Sequence, residues 1–446
     1  TVVVALSLGV YAAARHNLGA LLSSQQRAEE ALIELERAAA AGARGRELAF
    51  NRGRALADLG RFEDAERAYT EAVAAAPAWI EAQVELAKLR FMRGDAAFAR
   101  DLEQAARAMP GHAGLNLALG DVLRRAGRPG SAETILRSLL GRSGFVPEVS
   151  AALAIVLHEQ ERLQEALDEA RRAHAGRPGD PAVDESLVGI LLSLGEAGES
   201  LAVARHWRAQ RPLDQRWIAY EASALRILGA EDYATLYDYA RFVRPYDLEP
   251  PRGWSSIEAF NADLIAVLGE RHRFQAHPLD QSLRLGTQTP RSLLVDPDLT
   301  IRAFLEALQA PIAAYREQLG TDPAHPLLAR TSGPARFVGC WSVRLRRGGY
   351  HVNHTHPEGW ISSAYYVEVP PEVADEDAKS GWIKFGEPGL PVPGALPERF
   401  VQPRPGRLVL FPSYMWHGTT PITGDAPRMT VAFDVVPADA GGAPAG

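Results

Sequence analysis

The first half of the chain repeats one arrangement of apolar and polar positions. "LADLGRFEDAERAYTEAVAAAP" (Leu56 to Pro77) carries helical spacing on both sides of a break at Gly60. Echoes follow at "FMRGDAAFARDLEQAARAMP", "LRRAGRPGSAETILRSLLG", "HEQERLQEALDEARRAHAGRP", "LLSLGEAGESLAVARHWRAQRP" and "LRILGAEDYATLYDYARFVRP". The break recurs at Gly60, Gly94, Gly127, Glu161, Gly195 and Gly229, in steps of 34, 33, 34, 34 and 34. Two further columns keep phase with it. Ala65, Ala99, Ala132, Ala166, Ser200 and Ala234 follow the break, and Gly53, Ala87, Gly120, Ala154, Val188 and Ala222 precede it. Each unit therefore reads as two antiparallel helices that cross at small residues, with a left-handed cap after the first helix. A single hairpin cannot bury its apolar face, so the units must stack.

One period upstream, the columns land on Gly19, Gln26 and Ala31. The apolar run "TVVVALSLGVYAAARH" is thus expected to be the first helix of an extra unit. The alternative is the remnant of a signal peptide, since the run is too short to span a bilayer. It also lacks an initiator Met, as expected of a chain trimmed or numbered from within a longer product.

Periodicity stops at "RPYDLEPPRGW" (Arg244 to Trp254), whose prolines predict a linker. "SIEAFNADLIAVLGERH" and "LTIRAFLEALQAPIAAYREQL" then show helical spacing, separated by loop. From Arg336 the period becomes two. "RFVGCWSVRLR", "WISSAYYVEVP", "GWIKFGEP", "GRLVLFPS" and "RMTVAFDVVP" read as short strands bounded by Gly and Pro. Strands in a row without intervening helices predict an antiparallel sandwich or jelly roll.

Charge and composition remove several classes. The net charge of −7 excludes a general nucleic-acid binder. The lone Cys340 excludes an intrachain disulfide and a thiolate cluster, and fits a reducing, cytoplasmic setting. No stretch predicts a membrane span.

The chemistry lies in "GGYHVNHTHPEGW" (Gly348 to Trp360), where His351, His354 and His356 crowd together. On a strand, His354 and His356 share a face and a regular His351 points away. "GRLVLFPSYMWHG" adds His417 from a late strand. Two ligands from one strand and a third from another leave open positions, as in non-haem Fe(II) oxygenases. Two triads are open: His354, His356 and His417, or His356, Glu358 and His417 with a carboxylate in place of His354. Arg428, with Thr430 two residues on, can grip a carboxylate in fork geometry. Trp360 and Trp416 flank the ligands and are expected to wall off water. Arg284 and Gln288, in "SLRLGTQT", are polar groups in an apolar context that either contact cofactor or substrate or cap a loop.

These segments resemble known families. The 34-residue units resemble the tetratricopeptide repeat, which implies a solenoid over residues 1–245 with about seven helix pairs. Its groove is expected to recruit a protein or peptide substrate, or else to scaffold or dimerise the enzyme part. "HVNHTHPEGWISSAYYVEVP", "GWIKFGEPG" and "PRPGRLVLFPSYMWHGTTPITGDAPRMTVAFDVV" resemble the 2-oxoglutarate/Fe(II)-dependent oxygenases of the prolyl-hydroxylase-like superfamily, and "HPLDQSLRLGTQT" resembles a segment preceding that core.

The resemblance implies a double-stranded β-helix over 336–440, helical support over 246–335 and a disordered tail at 441–446. It also implies Fe(II) held by His354, His356 and His417, and 2-oxoglutarate held by Arg428, Thr430 and Tyr365. Succinate and CO2 are released as a substrate is hydroxylated. The usual H-x-D is replaced by H-x-H. Two other readings stay open: a cupin-like metalloenzyme that does not use 2-oxoglutarate, and a non-enzymatic repeat adaptor with a degenerate jelly roll.

Overall fold

A computed structural model describes residues 2–438; the tail expected at 441–446 lies outside them. Fourteen of its helices follow one another in the chain, nine before Gln160 and five after it. They are α1 (Val2–Ser24), α2 (Ala28–Ala40), α3 (Arg46–Asp58), α4 (Phe62–Ala75), α5 (Ile80–Met92), α6 (Arg100–Ala108), α7 (Ala113–Arg125), α8 (Pro129–Ser143), α9 (Pro147–Glu159), α10 (Leu163–Gly176), α11 (Pro181–Ser193), α12 (Ala197–Gln210), α13 (Gln215–Ile227) and α14 (Asp232–Leu236). The short helix α15 (Tyr239–Phe242) follows them.

The turn column behaves as its spacing predicts. Gly60, Gly94, Gly127, Gly195 and Gly229 all have positive φ, and so do Gln26 at 59° and Glu161 at 61°. The residue after the turn closes the cap: Arg61 N donates to Leu56 O at 2.9 Å, and Arg128 N to Leu123 O at 2.9 Å. Two glycines of the crossing column sit at close approaches. A Cβ on Gly53 would lie 2.5 Å from Tyr69 Cδ1, and one on Gly19 would lie 2.6 Å from Leu35 Cγ. The apolar N-terminal run therefore forms a helix of the first pair.

The chain divides into two compact units. One runs to Gln160 and includes Phe274–Asp280; the other comprises Glu161–Arg273 and the residues from Gln281 onward. The division falls between α9 and α10. In the first unit, Phe274 stacks on Phe62 at 4.2 Å, and Gln275 N and Ala276 N both donate to Met92 O.

In the second unit, α11 to α14 share a core with an antiparallel β domain. Its strands are β1 (Arg244–Asp247), β2 (Leu283–Gln288), β3 (Ala335–His351), β4 (Ile361–Glu368), β5 (Ile383–Phe385), β6 (Arg399–Val401), β7 (Arg407–Pro412), β8 (His417–Thr419) and β9 (Arg428–Pro437). The larger sheet has the order β1-β7-β4-β9-β3-β2 and the smaller one β6-β5-β8. Three more helices belong here: α16 (Ile257–Gly269), α17 (Leu299–Ala307) and α18 (Gln309–Leu319). Tyr365 on β4 donates to Asn261 of α16 at 2.7 Å and packs on Phe304 of α17 at 4.8 Å, so helices cover that face. The other face meets the smaller sheet through Phe411 and Phe385, 5.0 Å apart.

The five strands read from the pattern are present. Two further strands lie where linker and loop are expected. β1 contains Pro245, which an edge strand tolerates because it leaves no ladder bond unmade. β2 is the other edge, and its register breaks between Arg284 and Gly286, which hides its alternation. β6 and β8 are three residues each, too short for any period. The helical run from Leu299 is two helices meeting at Leu308.

The turn column yields a stability test. Nothing lies within 4 Å of a Cβ built on Gly127, so Gly127→Ala should lower stability through backbone strain alone, by about 1–2 kcal/mol. Glu161→Gly should raise it by a similar amount. Both would be read as shifts in the urea midpoint at constant slope. A destabilised Glu161→Gly would mean that the Glu161 side chain contributes more than its strained backbone costs.

Candidate metal centre and its pocket

β4, β7 and β9 alternate, so one set of their side chains faces the smaller sheet. On β9 that set is Arg428, Thr430 and Asp434; on β4 it includes Ser362 and Tyr366. His417 begins β8 on the smaller sheet. The segment after β3 brings His354 to it. His354 N donates to His417 O at 2.8 Å, and His417 N returns the bond to His354 O at 3.1 Å. His356 N donates to Ser413 O at 2.9 Å, fixing the third histidine.

The three rings face one another, with centroids 4.2 Å apart for His354 and His417 and 5.1 Å for each other pair. Each Nδ1 has an acceptor. His354 Nδ1 meets Val352 O at 2.9 Å, His417 Nδ1 meets Met415 O at 2.9 Å, and His356 Nδ1 meets Asp434 Oδ2 at 2.7 Å. A carbonyl oxygen can only accept, so Nδ1 of His354 and of His417 carries the proton and the Nε2 of each keeps a lone pair; the Asp434 carboxylate likewise draws a proton to His356 Nδ1, which leaves its Nε2 as the ligand atom once the ring is neutral. His354 Nε2 and His356 Nε2 lie 3.2 Å apart. Two lone pairs at that distance repel unless a proton or a cation sits between them. The three ligand atoms lie within 4.8 Å of one another, and the group could hold a metal ion. An all-imidazole set suits iron, copper, nickel or zinc rather than a hard cation.

Protonation follows from burial. It drives His354 down to about 3 and His417 well below the usual range, with the neighbouring rings adding to the effect. His356 differs. Burial lowers it, but the Asp434 carboxylate outweighs that and leaves it raised. Burial likewise raises Asp434, and the His356 contact more than reverses it.

Arg428 is 2% exposed. Its Nη1 donates to Gly381 O at 2.7 Å, its guanidinium lies 5.4 Å from the Tyr366 ring centre, and its Nε has no partner. Among the described residues no carboxylate pairs with it, and burial lowers its pKa. The Tyr366 hydroxyl is also buried without a partner. Thr430 is 3% exposed, opposite Tyr366 in the ladder.

Several expected residues lie elsewhere. Tyr365 is the wrong one of the tyrosine pair: its hydroxyl is spent on Asn261, on the helix-covered face, while Tyr366 sits beside Arg428. Strand alternation places one tyrosine in the pocket but does not say which. Glu358 is exposed and outside the cluster of three. His351 does not face away. Partner register jumps from Gly286↔Leu345 to Arg284↔Tyr350, and His351 ends up stacked 6.1 Å from His354 with Nδ1 on Ser282 Oγ at 2.9 Å. Trp360 donates to Leu327 O and Trp416 to Ser223 Oγ, so both serve helix contacts. The aromatic wall beside His417 is Phe411, 4.6 Å away, backed by Phe385. Arg284 is held by Gln281 O and Leu283 O in its own segment, and Gln288 lies in β2 opposite Val343. Sequence reasoning missed Asp434, although its place six residues after Arg428 on β9 puts it on the Arg428 face.

Residues 339–434 match the family described as "Putative 2OG-Fe(II) oxygenase". Residues 46–79 and 117–181 match tetratricopeptide repeat families. No curated protein matches the chain at a significant level. Similar solved structures include a tetratricopeptide repeat protein from Parabacteroides merdae, at 15% identity over 48% of this chain and 84% of that one, with a TM-score of 0.37. A thermophilic repeat protein of Thermus thermophilus is 25% identical over 41% of this chain and 99% of that one, with a TM-score of 0.30. A Pseudomonas putida prolyl-4-hydroxylase is 14% identical over 46% of this chain and 97% of that one, with a TM-score of 0.31.

The three histidines differ in their protons. Burial holds His354 and His417 neutral, so at pH values below the raised pKa of His356 only His356 has to lose a proton when an ion binds. Below the raised His356 value, affinity for Zn(II) should fall about tenfold per pH unit, not a thousandfold. Titrations below that value, in buffers of differing ionisation enthalpy, should show one proton released per ion. A release of two or three would refute this assignment of protons.

Proposed function

We propose that this chain, which carries tetratricopeptide repeats and a 2OG-Fe(II) oxygenase domain, is a 2-oxoglutarate-dependent hydroxylase acting on a protein or peptide substrate. One observation carries the reading. Three imidazole lone pairs converge on the same sheet face as a buried guanidinium that has no carboxylate of its own. A buried cation without an acid is costly unless an anion arrives to meet it.

His354, His356 and His417 would hold the iron. When bound, it supplies activation of O2 coupled to oxidation of 2-oxoglutarate to succinate and CO2, with the second oxygen atom going to the substrate as a hydroxyl. The remaining work belongs to the chain. Arg428 binds the far carboxylate through the Nε–H that lacks a partner, and Tyr366 donates its free hydroxyl to the same group. Thr430 lies on the same face. Burial keeps the Tyr366 phenol protonated, with its pKa raised to about 12, so it stays a donor. Phe411 and Phe385 keep water from the His417 side.

The repeats supply the partner. Tetratricopeptide repeats mediate protein–protein interaction, which favours a polypeptide over a small molecule. In the second unit α13 reaches the metal-bearing loops: Trp416, next to His417, packs 6.0 Å from Tyr220, and Gln215 N donates to Pro357 O. A polypeptide held by the last repeats would therefore lie close to the reacting centre. Among the described residues no helix is long and apolar enough to cross a membrane.

Calorimetric titration of 2-oxoglutarate into anaerobic, Mn(II)-loaded protein tests the reading. Binding should require the metal and be lost in His417→Ala. Arg428→Ala should keep the metal and weaken 2-oxoglutarate on the order of a hundredfold, and Tyr366→Phe by about tenfold. Metal binding with no 2-oxoglutarate binding would move the assignment to a cupin-like enzyme. Binding of neither would leave a repeat adaptor.

A further inference from the structure

The replacement of H-x-D by H-x-H removes the anion from the triad. Three neutral imidazoles leave a divalent ion with its full charge in a buried pocket. The structure holds a carboxylate one hydrogen bond away. Asp434 is 9% exposed. Its Oδ2 lies 2.7 Å from His356 Nδ1, and its Oδ1 accepts from Ser362 Oγ at 2.7 Å. Ser362 Oγ is 2.8 Å from Ser413 Oγ, and the Ser413 carbonyl is the one that holds His356 N. One small network thus fixes both the backbone and the ring of His356.

The other two histidines lean on backbone carbonyls, so Asp434 is the one carboxylate bonded to the triad among the described residues. No Lys or Arg pairs with it there; its ion pair is His356 alone. A buried carboxylate without a basic partner needs a positive charge from somewhere. The ring of His356 connects it to the place where a metal ion would sit. Resting on the metal-site reading above, we infer that Asp434 is a positioning residue that returns the missing negative charge to the ion through His356. His356 and Asp434 together stand in for the carboxylate ligand that the H-x-H motif lacks. Outer carboxylates of this kind are worth about 10–100-fold in metal affinity.

Asp434→Asn tests the charge while keeping the shape. Its amide oxygen can still accept from His356 Nδ1–H, and its amide nitrogen can donate to Ser362 Oγ. The measurement is affinity for Zn(II) or Co(II) by competition titration, with circular dichroism to confirm folding. Asp434→Asn should weaken binding by about 10–100-fold and shift the visible bands of the Co(II) form. A folded Asp434→Asn that binds as tightly as wild type overturns the inference and leaves the metal site standing. A folded wild type that binds no metal overturns the site reading and the inference together.

A second measurement needs no variant. In Zn(II)-loaded wild type, the His356 Nδ1 proton should resonate clearly downfield of those of His354 and His417, because its acceptor alone is ionised. Three equivalent resonances would overturn the inference.

Discussion

Two backbone hydrogen bonds between His354 and His417 hold the site together. They join a segment leaving the larger sheet to the first residue of a three-residue strand in the smaller one. Everything at the pocket follows from that exchange. It brings two imidazoles to 4.2 Å, it places Phe411 and Phe385 against one side, and it leaves only His356 to be oriented by side chains. A bridge this short is stable because both sheets are pinned elsewhere: β9 pairs with β3 from Ala335 to Leu345 and with β4, and β5 pairs with β8.

Beside apolar residues such as Phe411, the face of the domain's larger sheet turned to the smaller one carries a cluster of polar groups. Asp434, Ser362, Thr430, Tyr366 and Arg428 all point inward and are buried. Such groups cost stability unless they bond to one another or to a ligand. Asp434 and Ser362 are satisfied within the protein, while Arg428 Nε and the Tyr366 hydroxyl are not. The unmet groups keep hydrogen-bonding capacity to offer, and the met ones hold the ring of His356 in place.

The helical half obeys a different economy. Its columns need only small residues at crossings and a left-handed residue at turns. Where glycine is absent, at Gln26 and Glu161, the backbone still takes positive φ, so the hairpin geometry overrides the local preference. The last pairs are built into the same core as the β domain, with Trp207, Trp217 and Phe242 buried beside residues of the sheets.

By itself the sequence determined what repeats or alternates. The period of 34, the small-residue columns and the alternation of five strands are local signals, because each unit buries the same face by the same spacing. The candidate ligands His354, His356 and His417 were also legible, since a cluster in "HVNHTH" and a histidine after a late strand need no more than strand parity. Tertiary structure decided the rest. It placed Tyr366 rather than Tyr365 in the pocket, because absolute facing depends on which side the helices cover. It turned His351 inward, because an irregular stretch of β3 breaks parity. It drew Pro245 and Leu283 into edge strands, because an edge needs only one partner. It set Asp434 on His356, because that bond spans strands far apart in the chain, where no period along the sequence can register it.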